Sequence, residues 1–141
     1  MIQFTALNKF EIQKEDSIRE WIQFVLDQEL KELGEINYVF CDDDYLLEMN
    51  IKELKHNTLT DIISLDYTVG DLVSGDIFIS VERVRENAGN LGIAFKEELY
   101  RVMVHGILHY CGYKDKSAEE QALMREKEDY YLSLRTFNAK E

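Results

Sequence analysis

His105-Gly106-Ile107-Leu108-His109-Tyr110-Cys111-Gly112-Tyr113-Lys114-Asp115 is the stretch that decides how the rest of the chain is read. Residues four apart stand one above the other on a helix, so the imidazoles of His105 and His109 can reach a single metal ion. Gly112 follows, and glycine ends helices readily because it adopts the left-handed conformation without steric cost. The chain can then turn back and offer the Asp115 carboxylate as a third ligand. Three protein ligands with one open position is the usual arrangement of catalytic zinc, whereas structural zinc takes four.

Two histidines at helical spacing also arise by chance, and a lone histidine on an apolar face is more often a hydrogen-bonded core residue. Here two of the three histidines in the chain share the spacing, and the glycine and the carboxylate follow at three-residue steps. The pattern matches the ligand spacing of the metzincin peptidases, H-E-x-x-H-x-x-G-x-x-H, with two changes. Gly106 replaces the glutamate that serves those enzymes as general base, and Asp115 replaces the last histidine. A peptidase mechanism therefore lacks its proton acceptor.

Outward from this stretch, helix Phe95 to Cys111 carries Leu99, Val102, Met103, Gly106, Ile107 and Tyr110 around much of its circumference, the pattern of a buried helix. A closing helix runs from about Ser117 to Thr136, with Ser117 and Glu120 as a capping box and Glu119, Glu126, Glu128 and Asp129 on a charged face. Ser80 opens a helix through Asn87 that breaks at Gly89-Asn90-Leu91-Gly92. Ile62 to Tyr67 and Gly75 to Ser80 read as strands on either side of a turn-rich Val69-Gly70-Asp71.

Near the start, Ile2 to Ala6 alternates as a short strand. From about Ser17, the positions Ile18, Trp21, Ile22, Val25, Leu26, Leu30 and Leu33 repeat at helical spacing, with Gly34 as C-cap. Ile36 to Cys41 follows as a strand. Asp42, Asp43 and Asp44 could hold a cation, but Asp43 or Asp44 as N-cap of a short helix through Met49 explains them with less. Asn50 to Leu59 is polar and loop-like. The sum is an α+β fold: a small mixed sheet of about four strands packed with about five helices, the zinc-site helix central.

At 141 residues the chain is expected to form a single domain, 1–141. Hydrophobic residues make up 45%, enough for a packed core. Cys41 and Cys111 are far apart and form no C-x-x-C pair, which fits a reducing cytoplasm. No stretch approaches membrane-spanning length, and the first residues lack a signal-peptide pattern. With 16 Lys plus Arg against 28 Asp plus Glu, the net charge is −12, so a nucleic-acid partner demands a local basic surface. Arg83, Arg85, Lys96, Arg101, Lys114, Lys116 and Arg125 are available for one. For each of them alone, solvated helix surface is the ordinary reading.

The run His105 to Tyr113 resembles the H-G-x-L-H-x-x-G-Y-D-H signature of the YbeY family. Thr60-Asp61-Ile62-Ile63-Ser64 is similar to that family's T-D-V-L-S-F strand, and Ser74-Gly75-Asp76-Ile77-Phe78-Ile79-Ser80 to its L-G-D-I-x-I-S strand. The likeness runs from about Leu46 to Lys127, in the same order. It implies a single-strand-directed, zinc-dependent endoribonuclease acting in maturation of the 3′ end of 16S ribosomal RNA and in ribosome quality control. RNA and the ribosomal subunit are the implied partners, with ribosome-associated proteins beside them. One Zn2+ per chain is expected on His105, His109 and Asp115, the last standing where the family has a third histidine. The arginine that usually precedes the family's T-D-V-L segment falls near Leu54, which makes Lys55 and His56 the candidate catalytic residues. A metal-stabilised, ribosome-associated binding factor with little catalysis is the alternative, and a metallopeptidase a more distant one.

Overall fold

The computed structural model describes residues 1–54 and 59–137, with the side chains of residues 53 and 54 not described. Among the described residues, four strands and five helices follow in the order β1 (Ile2–Ala6), α1 (Glu15–Gln28), β2 (Glu32–Cys41), α2 (Asp43–Leu54), β3 (Ile62–Asp66), β4 (Leu72–Ser80), α3 (Val81–Leu91), α4 (Phe95–Tyr110) and α5 (Ala118–Ser133). The sheet order is β1-β2-β4-β3. β1, β2 and β4 run parallel, and β3 lies antiparallel to β4 at one edge. This is the mixed α+β architecture expected from the sequence.

Strand alternation sets the layers. Ile36, Tyr38 and Phe40 of β2 and Val73, Ile77 and Ile79 of β4 turn to one face, where they are buried with residues of α1, α3, α4 and α5. The opposite face carries a smaller cluster of Cys41, Leu46 and Ile63, covered by α2. α4 is buried around most of its circumference, from Leu99 to Tyr110. Tyr38 reaches up from the middle of the sheet and donates to the Met103 carbonyl of that helix at 2.9 Å.

Two glycines show how closely the ligand-bearing helix is held to the sheet. A Cβ at Gly106 would lie 3.0 Å from Ile77 Cδ1 and 3.3 Å from Ile62 Cδ1, so a larger side chain there would lift α4 off the strands. At Gly75 a Cβ would stand 2.5 Å from the Leu65 carbonyl and from the Tyr110 ring. The Tyr110 hydroxyl occupies that space, 3.0 Å from the carbonyls of both Leu65 and Asp76.

The structure corrects the first helix. It ends at Gln28, and Leu30 itself adopts a positive φ of 58° as the helix turns off. The Lys31 N–H bonds to the Leu26 carbonyl and the Leu30 N–H to the Asp27 carbonyl, the Schellman pattern with leucine where glycine is usual. Leu33 and Gly34 belong to β2. Gly34 serves close strand approach, since a Cβ there would collide with the Ser74 hydroxyl beside a break in register between Leu33 and Ile36. Leu33, which fits a helical period, is thus drawn into a strand by tertiary pairing.

The aspartate triplet is also reassigned. Asp42 precedes α2, and its carbonyl accepts from the N–H groups of Tyr45 and Leu46. Asp43 turns away and binds the Ser80 hydroxyl at 2.7 Å and Arg83 at 2.8 Å. α2 continues to Leu54, through positions whose polar character suggested a loop. Ser80 caps α3 as expected, accepting from the Arg83 N–H, and the helix continues past Gly89 to close at Gly92, where φ is 68°.

Candidate metal centre

α4 ends in the Schellman pattern that its sequence announced. Gly112 has φ 104°, its N–H bonds to the His109 carbonyl, and the Tyr113 N–H bonds to the Leu108 carbonyl. The turn brings the Tyr113 carbonyl back to His109 Nδ1 at 3.0 Å and carries Asp115 over the histidine pair. Nε2 of His109 lies 3.0 Å from Nε2 of His105 and 3.1 Å from the Asp115 carboxylate, which is 3.2 Å from Nε2 of His105. These three atoms form a group that can hold a metal ion.

The surrounding hydrogen bonds test that reading. A carbonyl only accepts, so His109 Nδ1 carries its proton toward Tyr113 and leaves a lone pair on Nε2. His105 Nδ1 lies 2.5 Å from the Glu128 carboxylate, which likewise takes the Nδ1 proton. Two nitrogen lone pairs and a carboxylate oxygen then converge on one point, an arrangement that calls for a cation. The pattern of ring nitrogen to carboxylate or carbonyl behind each ligand is the one that orients metal-binding histidines.

Glu128 is buried on α5 and receives Arg101 at 2.9 Å, while Arg101 also binds Asp129 at 2.6 Å. Burial opposes a charged imidazole at His105, but the Glu128 carboxylate, with Asp115 and Asp61 nearby, outweighs it and raises the pKa above its ordinary value. Burial pushes the Asp61 carboxyl up. Glu98 is raised by burial and by the charge of Asp61, and its Oε1 is buried with no hydrogen-bond partner among the described residues.

These groups line a cavity of about 540 Å³ on the open side of the ligand triad. β3 and its approach contribute Thr60, Asp61 and Ser64; α4 contributes Glu98 and Arg101 beside the histidines; α5 contributes Gln121, Arg125 and Glu128. Of the described basic residues considered from sequence, Arg101 and Arg125 reach this wall. Arg83 is tied to Asp43, and Arg85 covers the Phe95 ring at 4.2 Å. Lys55 and His56 lie outside the described residues. Both cysteines are free, their thiols pushed up to about 12 chiefly by burial.

Sequence reasoning missed Glu128, Glu98 and Asp61 as parts of the site. A signal was present for two of them. Glu128 lies in the buried stripe of α5 with Met124, Tyr131 and Leu132, and Glu98 stands one and two turns before Val102 and His105 on α4. A carboxylate within an apolar stripe is buried only with a partner or a task. Placing Glu128 on the charged face of this helix hides both the stripe and its role as a cavity wall.

Two imidazoles and a carboxylate, backed by a buried glutamate and open to a cavity, define a site of the kind that holds one metal ion in a hydrolase. The family model described as Endoribonuclease YbeY matches residues 3–135, and the chain belongs to that family. It is 58% identical over 134 residues to the Endoribonuclease YbeY of Flavobacterium psychrophilum, covering 95% of this chain and 96% of that relative. The protein of the same name from Bacteroides thetaiotaomicron is 47% identical over 122 residues, 86% of this chain and 89% of the relative. In fold, the chain resembles a Thermotoga maritima protein solved in solution, with a TM-score of 0.69 at 23% identity over 100% of this chain and 96% of that one.

Proposed function

We propose that the chain is a zinc-dependent endoribonuclease that cuts single-stranded RNA, acting on ribosomal RNA during its maturation at the 3′ end of 16S rRNA, in the cytoplasm. The observation that carries this reading is the convergence of His105 Nε2, His109 Nε2 and the Asp115 carboxylate within 3.2 Å of one another beside an open cavity. The relatives' name, Endoribonuclease YbeY, supports RNA as the substrate class.

His105, His109 and Asp115 would hold the ion, and zinc suits a donor set of two nitrogens and one oxygen. Bound there, zinc supplies a Lewis acid for a phosphoryl oxygen and lowers the pKa of water. The chain's own groups fix the geometry. Glu128 and the Tyr113 carbonyl set which nitrogen of each imidazole faces the centre, and Arg101 holds Glu128 in place. Gly106 faces Ile77 and Ile62 in the sheet and brings no carboxylate to the position that carries the peptidase general base.

Cleavage of a labelled single-stranded RNA oligonucleotide tests the proposal, with zinc measured by elemental analysis and with His109→Ala protein from the same purification alongside. Cutting by the parent that a chelator abolishes and zinc restores, with none from His109→Ala, is the expected result. Equal cutting by both proteins would assign it to a contaminant. Zinc binding and RNA binding without cutting would favour an accessory binding factor.

A further inference from the structure

A phosphodiester brought to this centre meets a wall rich in carboxylates. Asp61, Glu98, Asp115 and Glu128 all line the cavity, while the cations there among the described residues are Arg101 and Arg125. Arg101 is taken by Glu128 and Asp129 and is largely buried. Arg125 is exposed, and no carboxylate or carbonyl among the described residues takes its guanidinium. Its charge nonetheless reaches Glu98. On α5 it stands one turn before Glu128, roughly 4.5 Å along the helix axis, on the face that meets His105. Gln121, one turn earlier still, lines the same wall.

We infer that Arg125 is the substrate-positioning residue of this site, its guanidinium binding the nonbridging oxygens of the RNA phosphate held beside His105, His109 and Asp115. The inference rests on the proposed function and adds the residue that lets an acidic chain accept an anionic substrate. A planar guanidinium suits the task because its forked donors take two phosphate oxygens at once. Its lack of a protein partner leaves that fork open, whereas Arg101 is locked in orienting Glu128.

The test pairs Arg125→Ala and Arg125→Lys with Lys9→Ala, which removes the same charge from outside the cavity. RNA affinity is read by anisotropy of a labelled single-stranded oligonucleotide in the His109→Ala background, and cleavage is read in the parent background. Arg125→Ala should weaken binding about tenfold and flatten the plot of log affinity against log salt by about 0.7. It should raise KM more than it lowers kcat and leave zinc content unchanged. Arg125→Lys should fall between Arg125→Ala and the parent, and Lys9→Ala should match the parent. Binding and KM for Arg125→Ala equal to those for Lys9→Ala would overturn the inference. A parent that binds RNA through Arg125 but never cuts it would overturn the proposed nuclease function and leave this contact standing.

Discussion

Glu128 of α5 meets His105 of α4 at 2.5 Å on the ring nitrogen that faces away from the other two ligands. The two residues come from different helices, so the ligand's orientation depends on how those helices pack. Arg101, one turn before His105, binds the same carboxylate and closes the link.

Replacing Glu128 by Gln keeps an acceptor near His105 but removes the charge that favours the right tautomer. Zinc affinity should fall by roughly ten- to a hundredfold, the usual effect of losing a group behind a ligand. Competition with a chromophoric chelator measures it. Glu128→Ala also strips Arg101 of its buried partner, leaving it Asp129, and should cost about 1–3 kcal/mol of stability in denaturant melts. Parent-like zinc affinity in Glu128→Gln would show that the contact is structural only.

Asp115 supplies the single carboxylate among the three converging groups. A carboxylate neutralises part of the ion's charge, so Asp115→His should move the rising limb of the pH–rate profile to lower pH. Asp115→Ala should lose zinc at least ten- to a hundredfold more readily on dialysis against a mild chelator. Retention equal to the parent's would remove Asp115 from the ligand set.

Gly75 lies beneath the Tyr110 hydroxyl, which ties the end of α4 to β3 and β4. Gly75→Ala should destabilise the protein by about 1–3 kcal/mol through overpacking. Because Tyr110 adjoins His109, zinc affinity should fall with it. Urea unfolding of the metal-free protein separates the two effects, and an unchanged midpoint would mean that Tyr110 moves without penalty.

Asp43 predicts an acid-sensitive link between α2 and α3. Burial works to raise its carboxyl, but hydrogen bonds from Arg83 and Ser80, together with the Arg83 charge, hold it below the ordinary value. A carboxyl depressed in the folded state stabilises above its unfolded pKa and loses that contribution as pH falls through the folded one. Asp43→Asn should therefore lower Tm at pH 7, with the difference beginning to shrink near pH 4, where the unfolded chain's carboxyl protonates, and closing as pH falls through the lower folded-state value. A constant difference from pH 7 to pH 3 would assign the effect to geometry and not to charge.

What was legible in the sequence followed from local rules. The spacing of His105, His109, Gly112 and Asp115, the Ser117–Glu120 box and the Ser80 cap each follow from contacts within a few residues. The first helix was read too long because Leu30 and Leu33 satisfy a helical period, while pairing of β2 with β4 claimed Leu33. Glu128 and Glu98 escaped because their meaning depends on which helix faces which. Charge counted along α5 says nothing about the side that is buried.

Gly106 acts as a spacer of minimal width. It lets the helix bearing both histidines rest on Ile77 and Ile62, and the edge strand that carries Ile62 also forms one wall of the cavity. The spacing between that wall and the histidine-bearing helix therefore depends on the missing side chain at position 106. Position 106 is a shim one hydrogen thick, and that thickness is part of the cavity's dimensions.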